Sequence, residues 1–253
     1  MNLLLLEPDE LEGTEAEGTE LETTLAGARA AHVRGVLRAD VGARLRVGVV
    51  DGPVGDAEVL AIDASSVRLR CRLGSTPPVP QVDLVLALPR PKVLKRLYAP
   101  LAALGVGRVI LTNAEKVERY YFDSHAVRPE VIRPRLLEGL SQARDTRVPK
   151  VEVSRSIRRT VEDLLADTSA RRLLADPVYR RSVYEVASRT QGRLVLALGP
   201  EGGWTPYERD LFERHGFVGV GLGPRTLRSD TATVALLTLA HAGLGAASGT
   251  FRR

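Results

Sequence analysis

Two loops in the last quarter of the chain hold the residue types that can do chemistry. One is Gly199-Pro200-Glu201-Gly202-Gly203; the other is Leu222-Gly223-Pro224-Arg225-Thr226-Leu227-Arg228-Ser229-Asp230. Glycine lets a backbone approach a ligand where a Cβ would block it. Glu201, Arg228 and Asp230 bring charge to the same stretch. Two such loops in close succession suit a pocket walled by backbone; the same spacing also serves ordinary turns of an α/β domain. The usual nucleotide fingerprints are absent, since neither loop reads G-x-G-x-x-G and no Gly-Lys-Ser/Thr follows. Glu201 would repel a phosphate at the next helix N-terminus. An adenosine-like ligand with a neutral or positively charged tail fits better.

Each loop needs a strand before it and a helix after it. Leu194–Leu198 and Phe217–Leu222 are apolar runs stopped by Gly and Pro, as buried strands are. Thr205-Pro206-Tyr207-Glu208 is a helix start: Thr205 caps, Pro206 fits the first position, and Glu208 closes a capping box. Gly216 fits the end of that helix. Ser229 or Asp230 is expected to cap the next one, running to about Gly245. Upstream, Val82–Leu88 and Gly107–Leu111 read as strands. Pro89-Arg90-Pro91-Lys92 precedes a helical pattern that runs to Leu104 and is closed by Gly105, and further helices are expected over 130–143 and 158–166. This alternation predicts an α/β fold with a parallel sheet covered on both faces. Its ligand would lie beyond the carboxyl ends of the strands. Residues 76–81, rich in proline, read as a stiff linker. Residues 1–75 read as a β-rich domain with strands at Leu45–Val50, Glu58–Ile62 and Val67–Leu73, and 82–253 as a second domain.

The 253 residues, 44% hydrophobic and 26% charged, suffice for real cores. No apolar run in the sequence approaches membrane-spanning length, and Leu3–Leu6 is too short for a signal-peptide core. One cysteine, Cys71, excludes an internal disulfide and suits a reducing, cytoplasmic setting. Four scattered histidines give no metal-ligand spacing, so no metal is expected. Net charge is +5, but residues 1–22 hold eight acids and neither Lys nor Arg, which leaves +13 on the rest. Such a body suits a polyanion. Arg outnumbers Lys by 32 to 4, which favours phosphate forks and base stacking and follows equally from codon usage. The acidic segment reads as a solvated surface loop or as a mimic that limits nonspecific RNA binding. Tyr120-Tyr121-Phe122 suits base stacking, or a core or dimer surface.

Gly199–Gly203, taken with Leu222 through Asp230-Thr231-Ala232, resembles the signature of the RsmE-type family. These are 16S ribosomal RNA uridine N3-methyltransferases of the SPOUT superfamily, which usually have Glu at the position of Asp230. Ser141-Gln142-Ala143-Arg144 loosely matches the family's E-Q-S-x-R. Ala99–Val106 keeps the Leu-Gly-Val end of its Q-K-x-T-E-L-G-V without the polar residues, as in a divergent branch. His32, Val36, Leu37 and Arg38 match its N-terminal H-x-x-x-V-L-R. The resemblance implies a deep trefoil knot with S-adenosylmethionine bound among the knotted loops. It also implies a PUA-like RNA-binding barrel over 1–75, a knotted SPOUT methyltransferase domain over 82–253, and a homodimer acting on ribosomal RNA or the small ribosomal subunit. Cofactor contacts fall on Leu198, Gly199, Pro200, Glu201, Gly202, Gly203, Leu222, Gly223, Pro224, Arg225, Leu227, Arg228, Thr231 and Ala232. RNA contacts are expected from Arg34, Arg38, Arg44, Arg90, Lys92 and Arg144.

Methyl transfer from a sulfonium needs a nucleophile in line with the methyl carbon. Uracil N3 carries a proton at neutral pH, so the base must be unpaired and the proton must leave. Arg228 is expected beside the uracil or the cofactor carboxylate, with Asp230 or Glu201 orienting it or accepting the proton. Structural roles stay open for both acids, Glu201 as a helix N-terminal carboxylate and Asp230 as a cap. Methylation of another base or a ribose, and RNA binding without turnover, also remain open.

Overall fold

The structure, a computed structural model, describes residues 3–11, 20–163 and 169–248. Asn2, the acidic residues Glu12, Glu15 and Glu17, and the far end of the helix expected over 158–166 lie outside the described residues. Contacts divide the chain into two units: Met1–Val79 with Leu137–Val148, and Pro80–Leu136 with Pro149–Arg253.

In the first unit, Leu4–Leu6 (β1) and Glu20–Ala26 (β2) are followed by the helix Gly27–Gly35 (α1) and by Arg44–Val49 (β3), Val54–Ile62 (β4) and Ser66–Leu73 (β5). These strands form one sheet in the order β1-β3-β4-β5-β2. The β1–β3 pair is parallel and the other pairs are antiparallel. Leu6, Leu25, Val47, Val59, Val67 and Leu69 pack inside it without solvent contact. Cys71 is buried among them, and burial pushes its thiol up to about 11, so it is unreactive at neutral pH.

Part of the acidic segment is a strand, which corrects its reading as a solvated loop. In β2, Leu21, Thr23 and Leu25 point inward. Glu20 reaches Arg72 at 2.7 Å and Glu22 reaches Arg70 at 3.4 Å, both on the neighbouring β5. A period of two places the acids on one face, opposite cross-strand arginines.

From Pro80 onward the elements are Val82–Ala87 (β6), Pro91–Ala103 (α2), Val106–Thr112 (β7), Pro129–Ala143 (α3), Lys150–Ser154 (β8) and Ile157–Asp163 (α4). Arg171–Ala175 (β9), Val183–Ala187 (α5), Leu194–Leu198 (β10), Pro206–Arg214 (α6), Val218–Val220 (β11) and Ser229–Ser248 (α7) complete the order. The strands make a parallel sheet in the order β11-β9-β10-β6-β7-β8. The central pair, β6 and β10, is buried at every position; β10 is an unbroken apolar run, and in β6 the one charged residue, Asp83, is paired with Arg193. Strands are added on one side of β6 up to β8 and on the other from β9 onward, so a ligand crevice is expected at the carboxyl ends near that reversal.

Helix α7 has the length and mean hydropathy, 1.3 over its most apolar window, of a membrane span, which the apolar runs of the sequence did not suggest. Leu236, Leu237, Ala240 and Leu244 on it are buried. At Gly243 a Cβ would come within 2.5 Å of Ala187 on α5, so α7 packs as a core helix.

The β8 edge supplies a test. Arg108 on β7 grips Glu152 on β8 through hydrogen bonds of 3.0 and 2.7 Å, and Lys150 adds a contact of 2.9 Å. The bonds from Arg108 hold the Glu152 carboxyl below its ordinary value, against partial burial. A depressed carboxyl contributes stability above its unfolded pKa and loses it as pH falls through the folded one. Urea midpoints of the wild type and Arg108→Met should therefore differ most at neutral pH and converge below about pH 4.5, the ordinary Glu value. A gap independent of pH would contradict this.

Candidate active site

Three strand ends converge on one cleft, where the sequence suggested two. Strands β9, β10 and β11 end at Ala175, Leu198 and Val220. The following loops supply Asp176 and Pro177, then Gly199, Pro200, Glu201, Gly203 and Trp204, then Gly221, Leu222, Gly223, Arg225, Thr226 and Leu227. Ser229, Ala232 and Leu236 of α7 close the wall around about 650 Å³ of atom-free space open to solvent.

The loops meet backbone to backbone. The Gly221 N–H donates to the Arg181 carbonyl at 2.9 Å, and the Asp176 N–H donates to the Val220 carbonyl at 3.0 Å. A Cβ on Gly221 would lie 2.2 Å from the Tyr179 carbonyl oxygen. Burial, then a 2.6 Å hydrogen bond to Glu213, raises the Tyr179 phenol and keeps it protonated. Gly199 lies against the Trp204 indole, where a Cβ would be 3.0 Å from the ring. Gly203 turns the chain at φ +70°, and its N–H closes the turn onto the Pro200 carbonyl at 2.8 Å.

The expected capping box of α6 is present and fixes the first loop. Thr205 Oγ1 accepts from the Glu208 N–H at 3.3 Å, and Glu208 Oε2 accepts from the Thr205 N–H at 2.7 Å. Glu208 is only 3% exposed. Its other oxygen accepts from the Glu115 N–H at 2.7 Å, so the buried carboxylate is compensated by donors. Lys116 Nζ donates to the Gly202 carbonyl at 2.6 Å. Arg209 donates to the Trp204 carbonyl at 2.8 Å and lies 3.7 Å from the buried carboxylate of Asp176. Asp176 also accepts from the Val178 N–H at 3.0 Å.

Of the residues expected to hold a cofactor, Leu198, Gly199, Pro200, Glu201, Gly203, Leu222, Gly223, Arg225, Leu227 and Ala232 line the cleft. Gly202, Pro224, Arg228 and Thr231 do not. Gly202 faces Lys116, and the Arg228 carbonyl accepts the Ala232 N–H at 2.8 Å at the start of α7. Glu201 pairs with Arg90 at 3.5 Å. Asp230 accepts from the Thr231 N–H at 2.9 Å and meets Arg96 at 3.0 Å, outside the cleft lining. The expected cap of α7 is corrected: the helix begins at Ser229, so Ser229 and Asp230 both lie inside it.

The residues expected to touch RNA are in varied surroundings. Arg34 donates to the carbonyls of Ala30, Asp63 and Ala64, which ties α1 to the β4–β5 turn. Arg38, Arg44, Lys92 and Arg144 are exposed, and Arg90 is engaged by Glu201. The sequence reading missed Ala175, Asp176, Pro177, Trp204, Gly221, Ser229 and Leu236 as cleft residues. Leu173-Leu174-Ala175 stopped by Asp176-Pro177 was a usable signal, a third apolar run ending in a turn.

Trp204 Nε1 and Ser229 Oγ are buried without a hydrogen-bond partner, and both residues line the cleft. Buried polar atoms of this kind point to a ligand with polar groups of its own. Among the described residues, no cluster of three or more His, Cys, Asp or Glu could hold a metal ion.

Residues 75–241 match the family described as RNA methyltransferase domain. The ribosomal RNA small subunit methyltransferase E of Treponema pallidum is 32% identical over 251 residues, covering 96% of this chain and 92% of the relative. The fold is similar to a crystal structure of a ribosomal RNA small subunit methyltransferase E from Neisseria gonorrhoeae bound to S-adenosyl methionine. That likeness has a TM-score of 0.75 at 18% identity and covers 94% of this chain and 95% of the other. A probable rRNA-methyltransferase from Porphyromonas gingivalis gives a TM-score of 0.73 at 23% identity, covering 100% of both chains.

The contact at Gly221 is testable. Gly221→Ala should destabilise the protein by roughly 1–3 kcal/mol, because the clash is with backbone that cannot swing aside. Gly35→Ala, where a Cβ meets nothing within 4 Å, should cost nothing. Equal shifts in the urea midpoints of the two variants would contradict the close approach.

Proposed function

The chain belongs to the ribosomal RNA small subunit methyltransferase E family of RNA methyltransferases, and on that premise we propose that it transfers a methyl group from S-adenosylmethionine to N3 of a uridine in 16S ribosomal RNA. The observation that carries the reading is the three-loop cleft. Its walls are largely backbone and apolar side chains, which suits an adenosine, and Trp204 Nε1 and Ser229 Oγ offer buried polar partners. Asp176 is a buried carboxylate in the wall that suits the positive charge of a sulfonium or an amino group.

Bound there, S-adenosylmethionine supplies an electrophilic methyl carbon. Glu201, in the cleft wall and oriented by Arg90, accepts the uracil N3 proton directly or through a water. Arg228, with Arg225 on the same loop, stabilises the negative charge that develops on the base. Asp230, held by Arg96 and the Thr231 N–H, positions the start of α7 under that loop.

The same reading extends to features the family implies. Residues 82–253 form a knotted SPOUT domain, with the loops after β10 and β11 in the knot; their tight backbone contacts support this. Residues 1–75 form a PUA-like barrel whose exposed Arg38 and Arg44 meet phosphates, and 76–81 is the linker. The chain works in the cytoplasm as a homodimer, on ribosomal RNA or the small ribosomal subunit.

The test is transfer of labelled methyl from S-adenosylmethionine to small subunits and to free 16S RNA, followed by nucleoside analysis. N3-methyluridine is expected; label in another nucleoside would reject the uridine assignment, and no transfer would reject catalysis. Glu201→Gln should lower the single-turnover rate roughly 10²-fold or more while cofactor affinity stays within a few-fold. An unchanged rate would remove Glu201 from the chemistry.

A further inference from the structure

The loop after β7 carries an aromatic pair that the cofactor cleft does not use. Arg119–Asp123 forms a short 3-10 helix in which Phe122 is buried. Arg155 stacks 5.3 Å from the Phe122 ring centroid and bonds Asp123 at 2.6 Å, which fixes the turn. Tyr120 is 65% exposed, and its ring stands edge-on to Tyr121 with centroids 4.8 Å apart. A tyrosine braced by a second ring presents a rigid apolar face at little cost in side-chain entropy.

This pair stands beside the cleft. Just upstream, Glu115 and Lys116 strap the same loop to the glycine loop and its helix, through Glu208 at 2.7 Å and the Gly202 carbonyl at 2.6 Å. The few residues from Lys116 to Tyr120 span at most about 14 Å when fully extended. Arg90, close enough to act electrostatically on Tyr121, pairs with Glu201 in the cleft wall.

Resting on the ribosomal RNA methyltransferase reading, we propose that Tyr120 and Tyr121 are a stacking platform for an unpaired nucleotide of the RNA beside the one being methylated. Every base has a π-face, so such a platform takes single-stranded RNA with little regard to sequence, while nearby cations such as Arg90 and Arg119 attract the backbone. The exposed neighbours Glu118, Arg119 and Asp123 are charged, whereas the centre of a contact between two copies of the chain is depleted in charge. That favours RNA over a second copy.

The test is fluorescence anisotropy of a labelled single-stranded oligouridylate with the full chain. Tyr120→Ala should weaken binding roughly 5- to 100-fold, and Tyr120→Trp should restore it. The slope of affinity against salt should stay unchanged, since no phosphate contact is lost. Wild-type affinity in Tyr120→Ala, or failure of Trp to restore it, would overturn the proposal. So would a changed oligomeric state of Tyr120→Ala by light scattering, which would assign the face to another copy of the chain. Calorimetric binding of S-adenosylmethionine reports whether the variant is folded; if Ala disturbs it, Tyr120→Leu keeps the bulk without the ring and carries the same test. Tyr120-dependent RNA binding in a wild type that transfers no methyl would sink the catalytic reading and leave the platform standing.

Discussion

At Gly221 the chain passes so close to the Tyr179 carbonyl that a Cβ would sit 2.2 Å from it. Gly219, two residues earlier, faces the Tyr179 ring at 2.3 Å in the same sense. Short β11 therefore lies directly on the end of β9 and the loop that follows, joined by Gly221 to Arg181 and by Asp176 to Val220. Because β10 pairs with the other side of β9, this contact brings all three loops to one level. Side chains at these positions would hold β11 away and open the cleft on one side.

Charge is handled differently in the wall and around it. The wall places Asp176 deep, compensated by Arg209 and a backbone N–H, so a carboxylate persists there at low exposure. Glu208, deeper still, is spent on three donors that fasten the glycine loop to the segment after β7. Apart from Arg225 in the wall, the basic groups stand outside, at Arg90, Lys92, Arg96 and Lys116, which is where a polyanionic substrate would pass. A cleft suited to a cation and a rim suited to an anion can serve two ligands at once.

Elements whose local signals agreed were legible in the sequence. Buried β10 is an unbroken apolar run, buried β6 is one but for Asp83, and Thr205-Pro206-Tyr207-Glu208 forms the capping box its residues dictate. Signals that competed were not. Strand β2 looked like a charged loop because its acids were counted and its alternation was not; the period of Leu21, Thr23 and Leu25 settles it. Strand β9 opens with Arg171 and Arg172, which hid the apolar run leading to Asp176-Pro177, and the third wall of the cleft went with it. Ser229 looked like a cap by residue type, but the helix starts one residue earlier in backbone terms, with the Arg228 carbonyl taking the first bond. Trp204 was invisible as a wall residue because its place depends on Gly199 lying flat against it, a contact distant from any local pattern.

The central claim is that the loops after β9, β10 and β11 together wall one cofactor site. Hydrogen–deuterium exchange with and without S-adenosylmethionine tests it most directly. The account predicts slowed exchange at the amides of all three loops and at the first turn of α7, with strands β1 to β5 unaffected. Protection confined to one loop, or appearing in the β1–β5 sheet instead, would contradict it.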